Sequence, residues 1–278
     1  MSFDAVVFAG GGSRCFWQVG FYAELHQRVG LQPRVVSAVS AGAAMACMAV
    51  TGRWRQGLAH FLEATRINER NFYPDRLLTD RPSFPHLEMY RTAILSVIDR
   101  DAFTQLQDGP DVHILLARAP RWLGPRMGAA VAFASYMLER HTVGPVHPQW
   151  NRRLGFHPEV ARAQDCASRD ELADLILHSS CTPPLTPLYQ RNGRSVLDGG
   201  AVDPVPTLAL RGTVGRTLIL LTSRYRASRM PDVEGRVYVQ PSVPIPVTKW
   251  DYAHPERIQR AYDLGRRDAR AFLQVSVH

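Results

Sequence analysis

"RVVSAVSAGAAM", residues 34–45, sets a run of strand-prone residues directly against an alanine-rich segment of helical propensity, with Ser40 at the junction. A serine at such a place can be an ordinary turn residue or an N-cap. It can also be a nucleophile held out of the sheet on a strained strand-to-helix elbow. Upstream, "DAVVFA" (4–9) is an apolar run of strand length that ends in "GGGSR" (10–14), and "FWQVGFYAELHQRV" (16–29) carries apolar residues close to helical spacing. Two successive strand–loop–helix units in the first fifty residues predict a parallel sheet covered by helices.

The chain has 278 residues, 45% of them hydrophobic, enough for a substantial core. Cys15, Cys47, Cys166 and Cys181 are scattered without paired spacing, which predicts reduced intracellular thiols, no metal cage and a cytoplasmic setting. The first residues lack the pattern of a secretory signal, and the uncharged stretch 35–52 contains the elbow, so it reads as buried core and not as a membrane span. The formal charge of +8 comes almost wholly from arginine, Lys249 being the sole lysine. Such a surplus suits an anionic partner, and peripheral contact with an acidic membrane stays open beside a merely compositional origin. No nucleic-acid motif is present, and the sequence is silent on oligomeric state.

Further along, helices are expected around 54–65 and 86–98, a strand at 111–119 and an apolar helix at 124–141. Ser168 opens a capping box with Glu171 ahead of a helix that stops before "TPPLTP". Asn192-Gly193 is the strongest turn signal of the chain and predicts a hairpin that delivers Asp198 to a strand end. Strands at 217–223 and 236–241 and a helix at 255–273 complete the pattern. No linker is visible, so one domain is expected over 1–278. The middle region, 60–160, should build the pocket of a site formed here and its cover. Within it, Met127, Val131, Phe133, Ala134, Met137 and Leu138 read first as core, with a lipid-facing flap flanked by Arg126 and Arg140 as the alternative.

Three motifs lie where loops leave strands: Gly10-Gly11-Gly12-Ser13-Arg14, Ala38-Val39-Ser40-Ala41-Gly42 and Asp198-Gly199-Gly200. A dinucleotide site would want glycine where Cys15 stands and an acidic residue ending the second strand. A phosphate loop of the Walker type would want Gly-Lys-Ser/Thr. Neither is found, and no cofactor is expected. Taken together the motifs hold the parts of an acyl-transfer site: a serine on an elbow, and backbone N–H groups of Gly11, Gly12 and Ala41 to receive an oxyanion. The serine needs a base. In the order of an α/β-hydrolase triad the only plausible histidine after Asp198 is His254, and it lies in an unpromising "YAHPER", so Asp198 is the better candidate.

This constellation resembles the patatin-like phospholipases and acyl hydrolases, whose pattern is Gly-Gly-Gly-x-Arg/Lys-Gly, then Gly-x-Ser-x-Gly, then Asp-Gly-Gly/Ala. "HSSCTPPLTP" (178–187) also resembles that family's Ala-Ser-x-x-x-Pro segment. The likeness runs from residue 4 to about 206, with 207–278 completing the strands and the last helix. It implies a three-layer α/β/α sandwich with a mostly parallel sheet and an elbow after the second strand. It further implies a Ser40–Asp198 dyad acting on fatty-acyl esters of glycerolipids, an oxyanion and substrate-binding loop of Gly10, Gly11, Gly12, Arg14 and Ala41, and no metal. Two departures stand out, Ala38 for the first glycine of the elbow and Cys15 for the glycine after the arginine. They motivate an alternative in which the protein keeps the fold only to bind lipid or act as a scaffold.

Overall fold

The computed structural model describes residues 2–74, 84–210 and 215–276. In chain order its elements are β1 (Ala5–Phe8), α1 (Phe16–Val29), β2 (Val35–Val39), α2 (Ala41–Val50), α3 (Trp54–Ile67), α4 (His86–Val97), α5 (Arg100–Gln107), β3 (Asp111–Arg118) and α6 (Pro125–Thr142). There follow α7 (Trp150–Arg153), β4 (His157–Arg162), α8 (Arg169–Ser179), β5 (Gln190–Arg191), β6 (Arg194–Ser195), β7 (Leu197–Asp198), β8 (Thr217–Leu220), β9 (Arg236–Val239) and α9 (Pro255–Ser276). The sheet runs β4-β3-β2-β1-β8-β9. Its members are parallel except β4 and the short β7, both antiparallel to β3.

The period-two alternation of side chains divides each central strand between two layers. Val6, Phe8, Val36, Ala38, Ile114, Leu116, Leu218 and Leu220 face the larger core, beneath α1, α2, α3, α4, α8 and α9. Val7, Val39, Leu115, Ala117 and Ile219 face the opposite side, which is covered chiefly by α6 and the chain around 202–210. The three layers are thus unequal, and the site opens on the thinner side. On the thicker side α1 and α9 cross closely at glycines: a Cβ on Gly20 would strike the Tyr262 carbonyl, and one on Gly265 would strike that of Trp17.

Several local signals act as expected. Ser168 Oγ accepts from Glu171 N–H at 3.2 Å, although the glutamate reaches back to Ala167 N–H (2.8 Å) and not to the serine's own amide. Asn192 and Gly193 both take positive φ, 52° and 68°, closing the β5–β6 hairpin as a two-residue turn. Three elements lie outside the sequence expectations, α5, the single turn α7 and β4. In α5 the start signal is Asp99, which accepts from Ala102 N–H at 2.8 Å. The edge strand β4, HPEVAR, carries no apolar run to mark it; ion pairs from Arg118 to Glu159 and from Arg162 to Asp111 tie it to β3.

The apolar helix 124–141 requires a correction. As α6 it buries its small residues, Gly128, Ala129 and Ala132, while Met127, Phe133, Met137 and Leu138 are exposed. The physical reason is close approach: a Cβ on Gly128 would come within 2.8 Å of the Ala119 methyl, so the glycine–alanine stripe must face inward and the bulky stripe outward. Of the region expected to form the acyl pocket, residues 75–83 lie outside the described residues.

Candidate functional site

The elbow forms where β2 ends. Ser40 has φ 55° and ψ −137°, a conformation that costs an L-residue about 1–3 kcal/mol and persists only when the surroundings impose it. Three contacts do so. Its amide donates to Ser179 Oγ at 2.8 Å, its carbonyl accepts from Ala43 N–H at 2.9 Å, and its hydroxyl donates to Asp198 Oδ2 at 2.7 Å. The fully buried Ser179 hydroxyl donates onward to the Leu115 carbonyl at 2.7 Å, splinting the elbow to the middle of β3. Gly42 explains why the turn can be so sharp: a Cβ there would lie 2.7 Å from the Phe8 carbonyl oxygen and 2.6 Å from that of Ala9.

Sheet register places the aspartate. Val39, the last residue of β2, pairs with Leu115, and Asp198 of β7 pairs with the next residue, Leu116. Because β2 is parallel and β7 antiparallel to β3, the two short strands meet end to end in one lane, C-terminus to C-terminus. Ser40 and Asp198, 158 residues apart in sequence, thereby face each other at the seam. A Cβ on Gly199 would collide with the Leu115 carbonyl, so the second residue of Asp-Gly-Gly lets the chain turn away here. Asp198 Oδ1 accepts from Gly200 N–H at 2.7 Å, which leaves Oδ2 for Ser40, with Thr182 Oγ1 at 3.4 Å. Burial raises the Asp198 pKa above its ordinary 3.8, opposed by the hydrogen bonds from Ser40 and Gly200 and by the charge of Lys249.

The glycine loop passes beside the seam. Gly12 has φ 58°, and a side chain there would run into the Lys249 carbonyl, which accepts from Ser13 N–H at 3.0 Å. Among the described residues no group accepts from the N–H of Gly11, Gly12 or Ala41. Gly10 differs from the expectation for this loop: its N–H is spent on the Pro204 carbonyl at 2.9 Å, so it lines the cavity without offering a donor. Arg14 lines the same cavity and donates through Nε to the Val247 carbonyl at 3.3 Å, holding the loop to the segment before Lys249. Its pKa is lowered, first by burial and then by the nearby charge of Arg140.

The cavity has a volume of about 490 Å³. Ser40, Asp198 and the three glycines line it together with one face of α6, which presents Phe133 and Met137 and, further along, Tyr136 and Arg140, the latter two near Lys249; Arg14 also lines it. An apolar groove of about 830 Å³ shares Ala129, Phe133, Thr182 and Pro183 with it and runs on past Leu185 and Leu188. His254 does not line the cavity; its Nδ1 lies 2.7 Å from Asp251. Ser179, Thr182, Tyr136 and Arg140 were not singled out as site residues from the sequence. Ser179 and Thr182 carried a signal through the "HSSCTPPLTP" segment, and Arg140 one as a flank of the apolar helix.

Both departures from the motif pattern are accommodated. Cys15 has φ −66°, a helical value open to any residue, and its thiol is buried with Sγ donating to the Ala9 carbonyl at 3.5 Å. Ala38 is completely buried in the larger core, and the tight strand–helix contact depends on Gly42 instead.

A mostly parallel sheet flanked by helices, with a strained serine at a strand end bonded to a half-buried aspartate beside a glycine loop, defines a three-layer α/β/α protein with its site at the elbow. The family model for patatin-like phospholipases matches residues 6–211, and the chain belongs to that family of lipid acyl hydrolases. Among solved structures the chain resembles VipD from Legionella pneumophila, with a TM-score of 0.50 and 12% identity over 98% of this chain and 67% of that one. No curated protein matches the chain.

Proposed function

We propose that the protein is a serine acyl hydrolase of the lipase or phospholipase A type, cleaving fatty-acyl esters of glycerolipids through a Ser40–Asp198 dyad. The observation that carries this reading is the 2.7 Å hydrogen bond from the strained Ser40 hydroxyl to Asp198, made at the floor of a cavity with an apolar extension. Asp198 accepts the hydroxyl proton as Ser40 Oγ bonds to the acyl carbon. The carbonyl oxygen becomes an oxyanion and takes hydrogen bonds from Gly11 and Gly12 N–H, with Ala41 N–H on the elbow side. Collapse breaks the bond to the alcohol, which leaves with the proton from Asp198. Water then attacks the acyl-serine with Asp198 again as base, releasing the fatty acid and restoring Ser40.

The acyl chain lies along Phe133, Met137 and Leu197 toward the apolar groove, and Arg14 keeps the oxyanion loop in place. The protein meets its substrate at an acidic lipid surface. Trp122, Met127, Phe133 and Leu138 are exposed, Phe133 also lining the cavity, and the likewise exposed Arg121 and Arg126 supply the complementary charge. A purely lipid-binding role, motivated by Cys15 and Ala38, gains no observation in its favour, since neither residue disturbs the loop or the elbow. Fluorophosphonate labelling tests the enzyme reading. Wild type should label at Ser40 and hydrolyse p-nitrophenyl esters, and Ser40→Ala should do neither while keeping its circular dichroism. Full turnover by Ser40→Ala would refute the assignment.

A further inference from the structure

The end of the cavity away from the apolar groove is cationic, and the hydrolytic scheme above gives Arg140 and Lys249 no role. Arg14, Arg140 and Lys249 line one cavity in which, among the described residues, Asp198 is the sole carboxylate. Among the described residues none of the three cations is ion-paired to a carboxylate, whereas other arginines pair with Asp99, Asp111, Glu159 and Asp170. Their placement is built by neutral groups. Arg140 donates from Nη1 to Tyr136 Oη at 3.2 Å and from Nη2 to Ser223 Oγ at 3.1 Å. Lys249 Nζ lies 5.9 Å from the centre of the Tyr136 ring, so that tyrosine spaces the two cations. The carbonyl of Lys249 is locked to Ser13 N–H, fixing its position relative to the glycine loop. In a chain that otherwise uses arginine throughout, the sole lysine stands at this point, where a compact ammonium fits.

Unpaired like charges in a half-buried cavity repel: burial first, and the charge of Arg140 second, lower the Arg14 pKa. A bound anion relieves it. We infer that Arg140 and Lys249 form an anion subsite that selects acyl esters with a net negative, phosphate-bearing head over neutral and zwitterionic ones. The apolar groove takes the acyl chain and the cationic end takes the head, with Ser40 between them. A zwitterionic head is disfavoured because its cation would enter the same positive field. This inference rests on the acyl-hydrolase reading for its orientation, and its test does not require turnover.

Calorimetric titration of the full chain with monomeric, unhydrolysable ligands tests it. The ligands are a short-chain 1,2-di-O-alkylglycerol 3-phosphate, the matching neutral dialkylglycerol, the matching phosphocholine and inorganic phosphate. The ether phosphate should bind about tenfold or more tightly than each of the others, a preference that weakens with salt. Lys249→Met and Arg140→Met should each erode it severalfold, and Lys249→Arg should retain most of it. Equal binding of the three lipids to wild type would overturn the inference, as would a preference that survives in the Lys249→Met/Arg140→Met double variant. Inorganic phosphate binding as tightly as the ether phosphate would make this a free-anion site and overturn the head-group assignment. Failure of Ser40 to label would instead strike the hydrolase reading and leave the binding preference to stand or fall by itself.

Discussion

At the scale of residues, the site concentrates cost in two places, the positive φ of Ser40 and the buried carboxylate of Asp198. The strain is held by Ser179. Ser179→Ala strands the buried Ser40 N–H and Leu115 carbonyl, so it should destabilise the fold by about 1–3 kcal/mol in chemical denaturation and lower the acylation rate as the elbow relaxes. For Asp198 the sign follows from burial. Its folded-state pKa lies above the ordinary 3.8, so as pH rises the unfolded chain ionises first and the native state loses stability until the buried group ionises too. Asp198→Asn should therefore melt higher than wild type at neutral pH, with the difference vanishing in acid. The same variant should lose about 10²-fold or more in ester hydrolysis, because the base is gone. In wild type the acid limb of activity should lie above the usual carboxylate range, and His254→Ala should leave it unmoved.

At the scale of elements, the α1–α9 pair carries a different electrostatic device. Glu24 on α1 is 3% exposed and is bonded by Arg28 of the same helix and by Arg266 and Arg270 of α9. Arg270 foremost, with Arg28 and Arg266, holds its pKa down to about 2 from the ordinary 4.5, against the opposing pull of burial. Since the folded pKa is depressed, the stabilisation is complete above the unfolded value and is lost as pH falls toward 2. Glu24→Gln should lower Tm at pH 7, and thermal melts between pH 5 and pH 2 should show the gap to wild type closing. An unchanged gap in acid would mean that Glu24 acts through packing alone.

At the scale of the whole molecule, the proposed contact with an acidic lipid surface draws on the exposed bulky face of α6, on Trp122 and on the arginine surplus. Among the described residues no helix is long and apolar enough to cross a membrane. Contact with vesicles containing acidic lipid should weaken as salt shortens the screening length to ~10 Å or less. Trp122→Ala with Phe133→Ala should reduce binding further, while labelling of Ser40 by a small fluorophosphonate persists. Salt-independent association in sedimentation assays would remove charge from the account.

The sequence by itself determined the order of strands and helices around the motifs, because each is written in short-range terms. The apolar runs at 5–8 and 35–39, the capping serine at 168 and the Asn192-Gly193 turn act on the few residues beside them. Ser40, Asp198 and the glycine loop were legible as candidates for the same reason, since an elbow or a glycine turn is a local conformation. Which way α6 faces was not legible. Its apolar residues could cover either face of the helix, and only the close approach of Gly128 to Ala119 settles that the small stripe packs inward. The end-to-end meeting of β2 and β7, the Ser179 splint and the convergence of Arg14, Arg140 and Lys249 join residues 64 or more positions apart, some on long and freely turning side chains. Such encounters depend on register across a sheet and on how layers stack. No local pattern encodes them, and the tertiary structure alone decided them.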